Sequence, residues 1–178
     1  MKAALRTISW TMLLLLCVSI HACAQATAGE TAASAKAAAP TTSELEQKFF
    51  AIVRSGDALG FLSYVPEDGV NLGRDAQNST RASIEDQLTH RTGLYCKLFE
   101  SSCIPPPARP DPGVQLCSYR ELLTQSEKVR TASTGLTRNG VRQAILVAQV
   151  QNEKCGGAVL IDFIFNYHHA GWKLFSIP

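Results

Sequence analysis

The stretch AVLIDFIFNYHHAGWKLFSI, Ala158–Ile177, decides how the rest of the chain is read. Val159, Ile161, Phe163, Phe165 and Tyr167 alternate with Leu160, Asp162, Ile164, Asn166 and His168. A period of two over ten residues predicts a β-strand over 158–167, with one face almost wholly apolar and the other mixed. His168-His169-Ala170-Gly171 reads as a turn, and Trp172 to Ile177 as the next strand. Working backward, Asn152 to Gly157 is a loop and Val141 to Gln151 a further strand. Asn139-Gly140 supplies the hairpin turn before it, because both residues tolerate positive φ. From Val129 onward the chain therefore reads as an antiparallel meander. Symmetric hairpins place Ala144, Leu146, Ala148 and Val150 beside the apolar face on one side, and Trp172 and Leu174 on the other. The mixed face then gathers Asp162 with Gln143, Ile145, Val147, Gln149, Lys173 and Phe175.

The half before the sheet carries helical spacing. Ser43-Glu44-Leu45-Glu46 fits a capping box, followed by Leu45, Phe49, Ile52 and Val53 on one helical face. Ser55-Gly56-Asp57 ends that helix, and Asp57 can cap a short second one carrying Leu59, Phe61, Leu62 and Val65, stopped by Pro66. Val70-Asn71-Leu72 reads as a short strand. Thr80 opens a third helix with Ile84, Leu88 and Leu94, closed by Gly93. Ser118-Tyr119-Arg120-Glu121 is a second capping box, ahead of Leu122 and Leu123. The fold class expected is α+β, with N-terminal helices packed on a C-terminal antiparallel sheet.

With FFAIVRSGDALGFLSYVPEDGV at Phe49–Val70 and HHAGWKLFSI at His168–Ile177, the chain resembles the nuclear transport factor 2-like (cone) superfamily. Ser55-Gly56-Asp57 corresponds to the small-Gly-Asp turn that often ends the opening helix there, and Gly171-Trp172-Lys173-Leu174 to the closing strand. The resemblance runs from Ser43 to Ile177. It implies a curved sheet that wraps a pocket together with the helices, commonly in a dimer. That superfamily holds isomerases, dehydratases and cyclases beside non-catalytic binding modules, so the fold does not select an activity. The Cys/Pro-rich stretch 95–126 departs from the compact pattern and reads as an insertion.

The chain has 178 residues, with 17 Lys+Arg against 15 Asp+Glu. Lys2 and Arg6 are the only charged residues among the first 24, so the remainder balances to zero. A neutral domain has no whole-molecule attraction for nucleic acid. Those first residues have the parts of a secretory signal: the basic pair, an apolar run from Ile8 to Ile20, and Ala22-Cys23-Ala24 as an A-x-A cleavage site. A competing route reads Ile20-His21-Ala22-Cys23 as a lipobox and acylates Cys23, which would tether the product to a membrane. Residues 25–42 are Ala/Thr-rich and read as a flexible linker, leaving one folded domain over 43–178. Either route exports that domain, to the periplasm or the medium, free or lipid-anchored.

Four cysteines fall in the domain, an even number that suits two disulfides in an exported chain: Cys96, Cys103, Cys117 and Cys155. Pairing Cys96 with Cys103 and Cys117 with Cys155 is the first choice. The rival joins Cys103 to Cys117 across the loop IPPPARPDPGVQL. No CxxC pair is present, and neither metal nor cofactor is expected.

Catalysis would need an acid or base inside an apolar pocket. Asp162 is the acid within an apolar strand, and His168 and His169 stand at that strand's end. Asp162 and His168 share a face, but six residues of strand separate them by about 20 Å. Asp162 also points away from the apolar face where a pocket should lie. His90 and Tyr95 lie near the end of the third helix and could reach a pocket mouth. The reading that best fits is a non-catalytic exported domain binding a small apolar ligand or an envelope protein, with a homodimer available through the mixed sheet face. The alternatives are a cone-fold isomerase, dehydratase or hydrolase using Asp162 or a histidine, and an accessory protein that docks through the proline loop Ile104–Pro112.

Overall fold

The computed structural model describes residues 40–73, 77–109, 112–169 and 171–178. The expected signal at 1–24 with Cys23, and positions 25–39 of the linker, lie outside the described residues, as do Pro110 and Ala170.

Two helices open the described chain, α1 (Thr42–Ser55) and α2 (Ala58–Tyr64). The box that caps α1 is formed by Thr41 and Glu44, not by Ser43 and Glu46. Thr41 Oγ1 accepts from the Glu44 N–H at 3.2 Å, and the Glu44 carboxylate accepts from the Thr41 N–H at 2.8 Å. Both pairs have the right spacing. The earlier one forms, and Pro40, which lacks an N–H, limits how far upstream the helix could extend. Gly56 ends α1 in the left-handed region at φ 74°, where a side chain would be strained. Asp57 then caps α2 through Gly60 N–H at 2.8 Å, as the sequence predicts.

Next come β1 (Val70–Leu72), β2 (Gln77–Ser79), α3 (Arg81–Thr89) and α4 (Leu94–Phe99). Thr80 caps α3 as expected. Leu94 belongs to α4 and not to α3, because His90 and the positive-φ residues Arg91 and Gly93 break the chain between them. Within 95–126, α4 and α5 (Tyr119–Gln125) bury Leu98, Phe99, Leu122 and Leu123 in the common core. The Ser118–Glu121 capping box opens α5 as read from sequence. Two disulfides close this region, Cys96–Cys103 and Cys117–Cys155.

The chain ends in β3 (Lys128–Arg138), β4 (Val141–Asn152), β5 (Gly157–His168) and β6 (Gly171–Ile177). The sheet order is β2-β1-β6-β5-β4-β3. The meander has the expected register: Phe163 faces Leu146, Ile161 faces Ala148, and Tyr167 faces Trp172. Asn139 and Gly140, at φ 50° and 77°, make the β3–β4 turn. The sheet is mixed, not purely antiparallel, because β1 lies parallel to β6 through Asn71–Ser176 and Leu72–Ile177. A bulge between β5 and β6 leaves Phe175 without a partner and bends the sheet there. The result is an α+β fold, a curved six-stranded sheet with its helices on the concave side.

Candidate functional site

The concave side of the sheet is where the resemblance would put a pocket. Here it is filled. Phe49 of α1 sits 4.8 Å from Phe163 and 4.9 Å from Phe165, ring centre to ring centre. Phe50, Phe61 and Tyr119 extend the same aromatic cluster over β5. Each such ring, taken from water, contributes about 1.5–3 kcal/mol. Edge-to-face contacts of this kind fix the rings as well as burying them.

Asp162 lies on the opposite, outer face, half-buried and opposite Val147 of β4. Around it stand Ile145, Ile164 and Leu160, with Leu160 61% exposed. Phe175, freed by the bulge, is also exposed on this side. Gln143 Nε2 donates to Asn166 Oδ1 across the strands at 2.8 Å. Lys173 leaves the face altogether, wrapping the edge of β6 to donate to the Ser63 carbonyl at 2.8 Å. The outer face thus holds a partly buried apolar patch around one acid, flanked by Gln143, Gln149, Asn166 and Arg130.

The other candidate residues are not gathered with Asp162. His168 and His169 are exposed at the β5–β6 turn. His90 is exposed just past the end of α3, with Nδ1 3.1 Å from the Asp86 carboxylate. Tyr95 lines a groove of about 320 Å³ between α2, α3 and α4, with Ala58, Leu62 and Leu88 as its floor. Arg91 lies over the Tyr95 ring at 5.6 Å. The prolines Pro105, Pro106 and Pro107 are exposed between the two disulfides. Among the described residues no group of three or more His, Cys, Asp or Glu side chains comes together, and no helix is long and apolar enough to cross a membrane.

Two polar arrangements escape the sequence reading. Lys97 of α4 and Tyr119 of α5 both donate to the Pro178 carbonyl, the tyrosine at 3.2 Å. Burial holds the Lys97 ammonium below its ordinary pKa. Burial, and after it the charge of Asp162 across the sheet, pushes the Tyr119 phenol well above the usual tyrosine range. The second arrangement is Arg142, whose guanidinium lies 4.9 Å from the Tyr167 ring centre and 5.2 Å from that of Trp172. Extending the inward alternation of Ala144 by two residues would have found it.

No protein-family model and no curated protein matches the chain. Among solved structures, it is similar to designed NTF2-like proteins. One, carrying several substitutions, is 10% identical with a TM-score of 0.43, over 76% of this chain and 93% of that one. Another, with a long sheet, is 9% identical with a TM-score of 0.41, over 77% of this chain and 94% of that one.

Proposed function

We propose that this chain is an exported, non-catalytic binding domain that works through the outer face of its sheet, and that the first partner on that face is a second copy of itself. The observation that carries the reading is the position of Asp162. It stands on the open outer face beside Leu160 and Ile164, while the inner side holds packed aromatic rings. An acid or base placed for catalysis belongs in an enclosed, water-poor pocket. Large apolar side chains left exposed on an open sheet face, as Leu160 and Phe175 are, belong against another surface. Export draws its support from the signal-like first 24 residues and from two disulfides, which persist in oxidising compartments. Strand spacing and rise give β3 to β6 a face of roughly 600 Å² per copy. Two copies then bury roughly 1,200 Å², enough for a specific interface.

Sedimentation equilibrium tests this. The wild-type chain is expected to dimerise at micromolar concentration, and Leu160→Glu, which puts a charge on an already exposed position, to leave it monomeric and folded. A wild-type chain that stays monomeric up to the highest soluble concentration would sink the self-association.

A further inference from the structure

The last inward-facing row of the sheet, before the β3–β4 turn, runs Thr137, Arg142, Tyr167, Trp172 across four strands. It stands at the mouth of the concave side, where the start of α1 crosses β3. Gly135 allows that crossing: a Cβ there would lie 3.2 Å from the Thr42 methyl. Thr42, Thr137, Arg142 and Trp172 line a cleft of about 390 Å³, within the usual size of small-molecule sites.

Arg142 has an unusual setting. Its guanidinium is exposed to solvent and lies close to two aromatic rings, which narrow its freedom without consuming its N–H donors. Among the described residues no carboxylate pairs with it, the ion pairs there being Arg81–Glu67 and His90–Asp86. Glu44, in the first turn of α1, is occupied by the Thr41 N–H and hydroxyl. An exposed guanidinium beside two rings, two threonines on the cleft wall and no acid paired with it among the described residues suit a planar or tetrahedral oxyanion.

We propose that this cleft binds the oxyanion head of a small ligand, a carboxylate or a phosphate, through Arg142. The cleft borders the outer face at Leu136 and Gln143, but the inference does not depend on self-association. Trp172 is its reporter. The chain has two tryptophans, Trp10 and Trp172, so a Trp10→Phe full-length chain emits from the cleft alone.

The experiment titrates that chain with inorganic phosphate, hexanoate and chloride at equal ionic strength, following Trp172 fluorescence. A saturable change with phosphate or hexanoate, absent with chloride, is expected, and whichever anion saturates identifies the head group. Arg142→Gln should weaken that binding at least tenfold. Arg142→Lys, which keeps the charge and loses the fork, should fall between the two. Near-ultraviolet circular dichroism confirms that both variants are folded. Responses to phosphate and hexanoate no different from chloride, or a saturable response unchanged in Arg142→Gln, would overturn the proposal and leave Arg142 as a cover for the two rings.

Discussion

The Trp172 indole N–H donates to the carbonyl of Pro40 at 3.0 Å, across 132 residues of sequence. The bond ties the chain just ahead of α1 to the strand that nearly ends the domain. Trp172 is 5% exposed, so water has little access to replace the bond. Trp172→Phe should remove the donor and part of the ring's packing, and lower the unfolding free energy by about 2 kcal/mol in urea denaturation. An unchanged midpoint would mean that Pro40 finds another donor at no cost.

The α1 cap separates two readings of one stretch of sequence. Thr41 caps and Ser43 does not, so Thr41→Ala should cost about 1 kcal/mol and Ser43→Ala less than about 0.5 kcal/mol. The reverse order in thermal denaturation would restore the later box. The backbone and hydroxyl bonds from Thr41 hold the Glu44 carboxyl below its ordinary pKa. Its contribution is therefore complete above the unfolded value and lost as pH falls through the folded one. Glu44→Gln should flatten that acid limb.

The two disulfides should contribute unequally. Cys117–Cys155 closes 38 residues and Cys96–Cys103 closes 7. Loop-closure entropy then gives about 4 kcal/mol for the first and about 2 kcal/mol for the second. Replacing each pair with alanine and comparing urea midpoints checks the order. A larger loss from the Cys96–Cys103 pair would show that contacts around α4, and not chain entropy, set the difference.

The sheet was legible because alternation is local: once Phe163 is known to face inward, Asp162 must face outward, and the hairpins carry that parity to β4 and β6. The parts that escaped lack such a signal. In β2, Gln77-Asn78-Ser79 has no apolar member, and its place is set by pairing with β1. α4 is six residues long, too short for a helical period to emerge beside the proline-rich loop that follows. The parallel β1–β6 contact joins residues about a hundred positions apart, and no local pattern encodes it. At the candidate sites, parity correctly turned Asp162 away from the core. The Arg142 cluster was missed because an arginine at a strand's end reads as solvent-facing until its aromatic neighbours are placed.

The alkaline limb of stability should report on the Lys97–Tyr119 pair. The folded Lys97 holds its proton less tightly than the unfolded chain does. The unfolded state therefore binds more protons below the ordinary lysine value of about 10.4, and stability rises with pH through that window. Tyr119 and Tyr64 have the opposite sign. Burial raises both, so above the ordinary tyrosine value of about 10 the folded state keeps protons that the unfolded state loses, and stability falls. Lys97→Met should abolish the rise, and Tyr119→Phe should soften the fall while costing about 1 kcal/mol near neutrality for the lost bond to Pro178. Asp162→Asn removes the charge that adds to the Tyr119 shift and should move its titration to lower pH, followed by tyrosinate absorbance. A Tyr119 titration indifferent to Asp162→Asn would place the whole shift in burial. An alkaline limb unchanged in Tyr119→Phe would assign the fall to Tyr64 or to other groups.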